Sequence, residues 1–285
     1  MLSLVSDYKH DDTLRKSLSR LAGATFGLDL EAWYAAGFWD DCYVPYSLAE
    51  DGEIAANVSA SRVELVLDGQ AFSAAMLGTV MTAKDWRGKG CAARLMRHVL
   101  EQETLRGAAF TYLFANETVL DFYPRFGFVQ AAEQQSLLAL DSIRPRPRDG
   151  ARLLDIRRTE DLGILTRLVK TGAAATKRVA STANLSLILF YSLSLLHNCA
   201  YYFEQEDLLV FWKDGTLYDY YSESPLPLTE AASFFAGDRE VLALGFTPPA
   251  DCGLPLVYRP YDDHLFITRP GILTAPLMFP LLSRA

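Results

Sequence analysis

The sequence predicts a mixed α/β chain of two domains, and three observations carry that prediction. Three apolar strands follow one another from Tyr43, separated by Asp51-Gly52 and Asp68-Gly69, both strong hairpin turns. The third strand runs into a glycine loop and then an amphipathic helix. A stretch rich in proline and arginine, SIRPRPRDG, interrupts the pattern, and a second succession of strands and helices begins beyond it. The limits read from this are residues 1–142 for the first domain, 143–150 for a linker and 151–285 for a second, smaller α/β domain.

Each element follows in order. Leu14, Leu18 and Leu21 share one helical face, and Asp29 to Gly37 reads as a short helix stopped by glycine. The first strand of the meander is Tyr43 to Leu48. The second carries Ile54, Ala56 and Val58 in one phase and Val63, Leu65 and Leu67 in the other, which predicts a bulge near Ser61. The third, AFSAAMLGTVMT, is small or apolar on both faces and belongs in the middle of a sheet. Cys91, Ala92, Leu95, Met96, Val99 and Leu100 then mark the buried side of the amphipathic helix. Phe110 to Ala115 is a buried strand, Thr118 to Phe126 a short helix, and a further strand starts at Phe128. Beyond the linker come a strand (ARLLDIRR), a helix from Glu160 to Lys170, and strands at Ala200–Phe203, Leu208–Lys213 and Thr216–Tyr221. A helix, Leu228–Phe235, and a strand, Val241–Phe246, follow. This order partly repeats that of the first half. An ancient duplication and an unrelated mixed α/β domain both accommodate it.

Composition narrows the function. Half of the 285 residues are hydrophobic, enough for ample cores, and the net charge of −8 argues against a nucleic-acid partner. Cys42, Cys91, Cys199 and Cys252 form no CxxC pair and have no histidine at zinc-ligand spacing, so they read as buried free thiols and no metal is expected. The N-terminus lacks a basic stretch followed by an apolar one, and no signal peptide is read there, which suggests a cytoplasmic protein. Ala180 to Phe203 contains no charged residue, but Asn184, Ser186, Ser192, Ser194, His197 and Asn198 interrupt it. It reads as a buried helix running into a strand, with no membrane partner.

The chemistry centres on Arg87-Gly88-Lys89-Gly90-Cys91-Ala92, set between a strand and a helix. Such a loop points backbone N–H groups at an anion held at the helix N-terminus. Gly88 and Gly90 let the backbone approach a pyrophosphate closely, and Arg87 and Lys89 add positive charge. By themselves these six residues also fit a plain tight turn. Further along, the strand YLFAN ends at Asn116, and Phe122-Tyr123-Pro124-Arg125-Phe126-Gly127-Phe128 begins soon after.

Taken in order, the strand LGTVMT, the RGKGCA loop, Asn116 and FYPRFGF resemble the acetyl-CoA site of the GNAT N-acetyltransferase superfamily over residues 43 to 130. Ala92 stands where a second glycine is frequent, Cys91 where an aliphatic residue is usual, and Lys84 where proline is common. The run SLAEDGEIAANVSAS and the ending FPLLSRA are similar to a poorly characterised bacterial two-domain subgroup. The resemblance implies the GNAT acyl-CoA N-acyltransferase fold, with either a degenerate GNAT-like repeat or another mixed α/β unit as the second domain. It implies that the strands near 75–82 and 110–115 splay at a bulge, so that a pantetheine arm lies between them. Backbone groups near Met81 and Thr82 would bind that arm, one N–H would polarise the thioester carbonyl, and Arg87, Gly88, Lys89, Gly90, Cys91 and Ala92 would hold the pyrophosphate. Asn116 would bond the cofactor, or simply cap a helix. Tyr123, a phenol protonated at neutral pH, is the candidate general acid toward the departing sulfur, or else a core tyrosine.

The implied reaction transfers an acetyl group from acetyl-CoA to a primary amine of a small molecule, by direct attack. A catalytically inactive CoA-binding regulator is the alternative. Glu64, Asp68, Asp40 and Asp41 are candidate bases, and Asn57 and Ser59 candidate liners of the acceptor pocket. The apolar ending GILTAPLMFPLLSRA is expected to pack on something, and a carboxylate at Ala285 is a further candidate base. The second domain's matching junction, YYSESPLPLTEAASFF, has neither a glycine loop nor a basic residue. It reads as a partner that shapes the acceptor pocket; a role in homodimerisation or partner binding is the other reading.

Overall fold

A computed structural model describes residues 1–173, 175–182, 184–238, 240–273 and 277–284. Strand β1 (Ser3–Ser6) precedes helices α1 (Asp12–Phe26) and α2 (Leu30–Ala35). Asp11 starts α1 by accepting from the N–H groups of Thr13 and Leu14, and Gly27, at φ +72°, ends it. The meander follows as β2 (Tyr43–Glu50), β3 (Glu53–Leu67) and β4 (Gln70–Thr82). Both Asp-Gly turns have positive φ at both residues, as two-residue hairpins of this kind require. Helix α3 (Cys91–Leu105) leads to β5 (Phe110–Phe114), β6 (Val129–Gln130) and β7 (Glu133–Ala139). Residues 118–126, expected as a helix, fall instead in two 3-10 turns, Glu117–Val119 and Tyr123–Phe126.

The remainder comprises β8 (Ala151–Leu153), α4 (Thr159–Thr171), β9 (Val179–Ser181), α5 (Leu185–Leu193), β10 (Ala200–Phe203), β11 (Leu208–Lys213) and β12 (Thr216–Ser222). After these come α6 (Leu228–Ser233), β13 (Val241–Leu244), β14 (Leu256–Tyr261) and β15 (Leu265–Ile267). The uncharged segment is divided among β9, α5 and β10, and no helix among the described residues is long and apolar enough to cross a membrane. Cys91 and Cys199 are buried free thiols as expected, whereas Cys42 and Cys252 are free but only half-buried.

Two sheets organise the chain. The first has the order β1-β2-β3-β4-β5-β15-β6, with β9 added to the far half of β3; the second has the order β8-β10-β11-β12-β13-β7-β14. Read side by side, the two orders are the same. In each, an edge strand precedes two helices, three antiparallel strands follow, and a helix crosses over to a parallel neighbour. That neighbour is β5 beside β4 in one sheet and β13 beside β12 in the other. The penultimate strand of each sheet comes from the other half of the chain. β15 lies between β5 and β6, and β7 lies between β13 and β14, all in antiparallel pairing. The halves are therefore two copies of one topology that have exchanged a strand.

This exchange corrects the sequence reading on one point. The stretch at 143–150 does not separate the sheets, because β7 before it belongs to the second sheet and β15 after it to the first. The bulge expected near Ser61 is also absent from β3. Ala56, Val58 and Ala60 pack toward α3, whereas Val63, Leu65 and Leu67 pack on the opposite face with Val179 of β9 and Phe279. The change of phase reports which face is covered, not a kink in the strand.

Phe266 of β15 is 2 % exposed and sits in the core beneath α3 with Leu95, Met96 and Leu113. Phe266→Ala is expected to lower stability by about 3–5 kcal/mol, the usual cost of truncating a buried phenylalanine. Urea unfolding would show this as a shifted midpoint of the first sheet, although residue 266 lies more than a hundred positions beyond most of that sheet.

Candidate active site

The site opens where β4 and β5 part. Their parallel pairing runs from Ala74 with Phe110 to Leu77 with Leu113 and stops there, while β4 continues to Thr82. The parting coincides with a bulge. Asn57 pairs with Met81 and Ser59 with Gly78, so Val58 alone faces both Thr79 and Val80. Thr79 adopts φ +44°, a region that a β-branched residue occupies only under strain.

The phase of the ladder decides which backbone groups face the gap. Ala83 N donates to Ala55 O at 2.9 Å, so the hydrogen-bonded pair next along is Asn57 with Met81. The backbone polar groups of Met81 are thereby spent on β3, and those of Val80 and Thr82 face the other way, into the gap. Of the two residues expected to line it, Thr82 does so and Met81 does not, because the extra residue of the bulge shifts the phase. Val80 takes its place. Thr82 O also accepts from Arg87 Nε at 3.2 Å, which ties the loop to the strand.

The loop then turns through Lys84–Trp86 into α3. Gly88 and Gly90 have φ of +75° and +77°, and nothing lies within 4 Å of where a Cβ on either would be. The glycines thus supply the left-handed backbone and leave open space over it. The first turn of α3 has no side-chain cap and no acidic residue, so its N–H groups and dipole stay available to an anion. Arg87 and Lys89 are exposed, with the Lys89 ammonium 4.6 Å from the centre of the Trp86 ring. The Cys91 side chain is buried in the core and Ala92 is half-buried, so both offer only backbone to the loop.

Asn116 is exposed, and its Oδ1 accepts from Thr118 N at 3.0 Å and from Thr118 Oγ1 at 2.9 Å, which makes it the cap of the following turn. Tyr123 is 5 % exposed, with its ring 5.5 Å from that of Phe266 and 6.1 Å from that of Phe128. Its hydroxyl has no hydrogen-bond partner among the described residues, and burial alone pushes its pKa up to about 12.

The expected carboxylates are not at the gap. Glu64 is exposed and pairs with Ser73, six residues before Thr79 on β4, a distance of about 20 Å along the strand. Asp68 lies further off, at the hairpin, facing Arg178. Asp41 is exposed and ion-paired to Lys9, and Asp40 accepts from Cys42 N. Ala285 lies outside the described residues. Its neighbour Arg284 is buried, with Nη2 2.8 Å from Glu133 Oε1, Nη1 2.6 Å from Asp263 Oδ2, and the guanidinium 4.1 Å from the centre of the Phe114 ring.

Beside the bulge lies a network of uncharged polar groups. Asn57 and Ser59 are fully buried on the side of β3 away from α3, and together with Tyr43 and Thr79 they form a closed set of hydrogen bonds. Tyr43 and Thr79 carried no sequence signal for the site. Gly78, an isolated glycine inside a strand, was the one local hint of a bulge.

The matching gap of the second sheet is filled by the chain itself. β12 and β13 pair only at Thr216 with Ala243 and Leu217 with Leu244. Gly245 N then donates to Leu217 O at 2.7 Å, so the carbonyl of Gly245 also faces β12, and it accepts from Leu281 N at 2.8 Å. Residues near 281 therefore occupy the space between the parting strands. A Cβ at Gly245 would lie 2.8 Å from Tyr218 Cα, so the backbones are too close there for anything larger than glycine.

Comparison with known proteins bears on the fold that carries this site. Residues 35–131 match the acetyltransferase (GNAT) domain family. No curated protein matches the chain. Among solved structures, a GCN5-related N-acetyltransferase from Kribbella flavida is 17% identical, with a TM-score of 0.56 over 93% of this chain and 71% of its own. A GCN5-related N-acetyltransferase from Anabaena variabilis is 14% identical, with a TM-score of 0.58 over 93% and 72%. Eis1 from Mycobacterium abscessus is 16% identical, with a TM-score of 0.56 over 94% and 73%. At such identities the likeness is one of fold, and it extends across both halves. The fold is that of the GNAT acyltransferases, and a match to their acetyltransferase domain lies within the first half. More particularly, residues 35–131 match the acetyltransferase (GNAT) domain, and the second sheet repeats the strand order of the first.

The Tyr123 phenol gives a direct check on this arrangement. In an ultraviolet pH titration, Tyr123→Phe is expected to remove a single tyrosinate that forms near pH 12 in the wild type, well above the ordinary 10.0. A tyrosinate missing near pH 10 instead would mean that the ring is solvated.

Proposed function

We infer that the protein transfers an acetyl group from acetyl-CoA to a primary amine of a small molecule. The observation that carries this reading is the gap between β4 and β5, with the Gly88–Gly90 loop and the uncapped start of α3 at its mouth. These residues fit the donor. Open space above two left-handed glycines suits a pyrophosphate, and the gap-facing groups of Val80 and Thr82 suit the amides of a pantetheine arm. Arg87 and Lys89 would add charge to the phosphates, while Cys91 and Ala92 would contribute backbone N–H groups.

Bound there, acetyl-CoA supplies an activated acyl group. The protein's part is to orient it, to place an N–H against the charge that develops on the acyl oxygen, and to return a proton to the sulfur. Val80 N–H is placed for the second task. Tyr123 is suited to the third, since its raised pKa keeps it protonated at any pH at which the protein would work. Asn116, already capping its own turn through Oδ1, retains its Nδ2 for the cofactor. The amine must lose a proton before it attacks, and since none of Glu64, Asp68, Asp40 and Asp41 stands at the gap, that proton passes to water. The N-acetyltransferases among the structural relatives support an amine acceptor. The filled gap of the second sheet supports a single donor site per chain.

Two measurements test this. Calorimetric titration should show saturable acetyl-CoA binding to the wild type and none to a Gly88→Glu, Gly90→Glu variant that keeps its fold. With an amine acceptor, Tyr123→Phe should lower kcat by about 10²-fold, the lower end for a lost general acid, and leave acetyl-CoA affinity unchanged. Because the phenol ionises only near pH 12, the wild-type rate should show no alkaline limb from Tyr123 between pH 8 and 10. Binding with no turnover on a broad panel of amines would favour a CoA-sensing role.

A further inference from the structure

The buried polar network beside the bulge has an arrangement that packing alone does not require. Thr79 Oγ1 donates to Ser59 Oγ at 2.8 Å, and Ser59 Oγ donates to Tyr43 OH at 2.8 Å. Each hydroxyl has one proton to give, so Tyr43 OH must donate to Thr79 Oγ1, 3.0 Å away, and the three form a closed ring. Asn57 is fully buried beneath it. Its Nδ2 donates to Ser59 Oγ at 2.8 Å and to the backbone carbonyl of Thr79 at 2.9 Å. Its Oδ1 accepts from Ser47 Oγ at 2.7 Å, and Ser47 in turn accepts from Tyr8 OH at 2.6 Å.

The bond to the Thr79 carbonyl has a consequence on the far side of the same peptide. A trans peptide is planar, and its C=O and N–H point in opposite directions. A Thr79 carbonyl held toward Asn57 therefore aims the Val80 N–H away from β3, toward the gap that β5 has left. Thr79 is also the one β-branched residue with positive φ, +44°, among the described residues. Left without its partners, the Thr79–Val80 peptide would be free to turn toward a more ordinary conformation.

We propose that Asn57 is a positioning residue, which fixes the Thr79–Val80 peptide so that the Val80 N–H meets the thioester carbonyl of the acyl donor. The ring of Tyr43, Ser59 and Thr79 holds the Thr79 side chain beside it. Asn57 itself touches no reacting atom. This rests on the acetyl-CoA reading of the gap.

The test is difference infrared spectroscopy of [1-¹³C]acetyl-CoA bound without acceptor, joined to calorimetry and kinetics. In the wild type the bound carbonyl stretch should lie below that of free acetyl-CoA, since a hydrogen bond weakens the C=O bond. Asn57→Asp replaces the donating amide with an acceptor of the same shape. It should return the stretch toward the free value and lower kcat by about 10²-fold, the scale of a misplaced catalytic group, with the acetyl-CoA Kd within about threefold of wild type. Asn57→Ser, smaller and uncharged, should shift the carbonyl in the same direction and covers the case in which the aspartate variant does not fold. Ser47→Ala removes a partner of Asn57 without touching Thr79, and should lower Tm while leaving the carbonyl frequency at its wild-type position. An unchanged frequency in both folded Asn57 variants would overturn the proposal and leave Asn57 a structural residue, with the acetyl-CoA reading intact. A wild type that binds no acetyl-CoA would remove both.

Discussion

Strand β5 is held along its two edges over different lengths, and the rest of the site follows from that difference. Toward β4 it pairs as far as Leu113. Toward β15 the bonding runs on to Ala115, whose N–H donates to His264 O at 3.1 Å. The strand is thus anchored on one side at the level where it is released on the other. A gap between strands exposes unpaired backbone groups, which cost free energy unless water or a ligand meets them. Firm pairing along the β15 edge is what keeps such a gap open instead of letting β5 drift back to β4.

The same device occurs twice in the molecule with opposite outcomes. In the first sheet the mouth of the gap carries glycines, basic side chains and an uncapped helix. In the second the crossover helix α6 is six residues long, no glycine loop precedes it, and the chain near Leu281 fills the opening. One topology thus occurs in an open half and a closed half. The closed half still contributes to the open one, since Phe266 backs the ring of Tyr123 and Arg284 lies over Phe114.

Much of this was legible in the sequence wherever the signal was local. The Asp-Gly turns fixed both hairpins, RGKGCA announced a left-handed loop at a helix start, and FYPRFGF placed Tyr123 behind it. Elements whose identity depends on distant partners were not legible. β15 is three residues long, and Leu265-Phe266-Ile267 could join any buried strand; only the vacancy between β5 and β6 decides where it goes. Asn57 and Ser59 stood out as polar residues in an apolar strand and were read as lining a pocket. They are in fact sealed inside a network whose other members, Tyr43 and Thr79, look like ordinary strand residues. The bulge was sought in β3, where the apolar phase changes, and lies in β4, where strand composition gives no sign of it beyond Gly78.

The exchange of β7 and β15 also bears on how the chain comes into being. A protein made from its N-terminus ordinarily folds its first domain while the second is still being synthesised. Here the ribosome has delivered β1 to β6 long before residues 265–267 emerge, so β5 waits with one edge bare. Closing a loop of that length costs entropy that only the finished sheet recovers, and such distant pairings are slow to form. The first sheet therefore cannot be completed until the second half of the chain is nearly made.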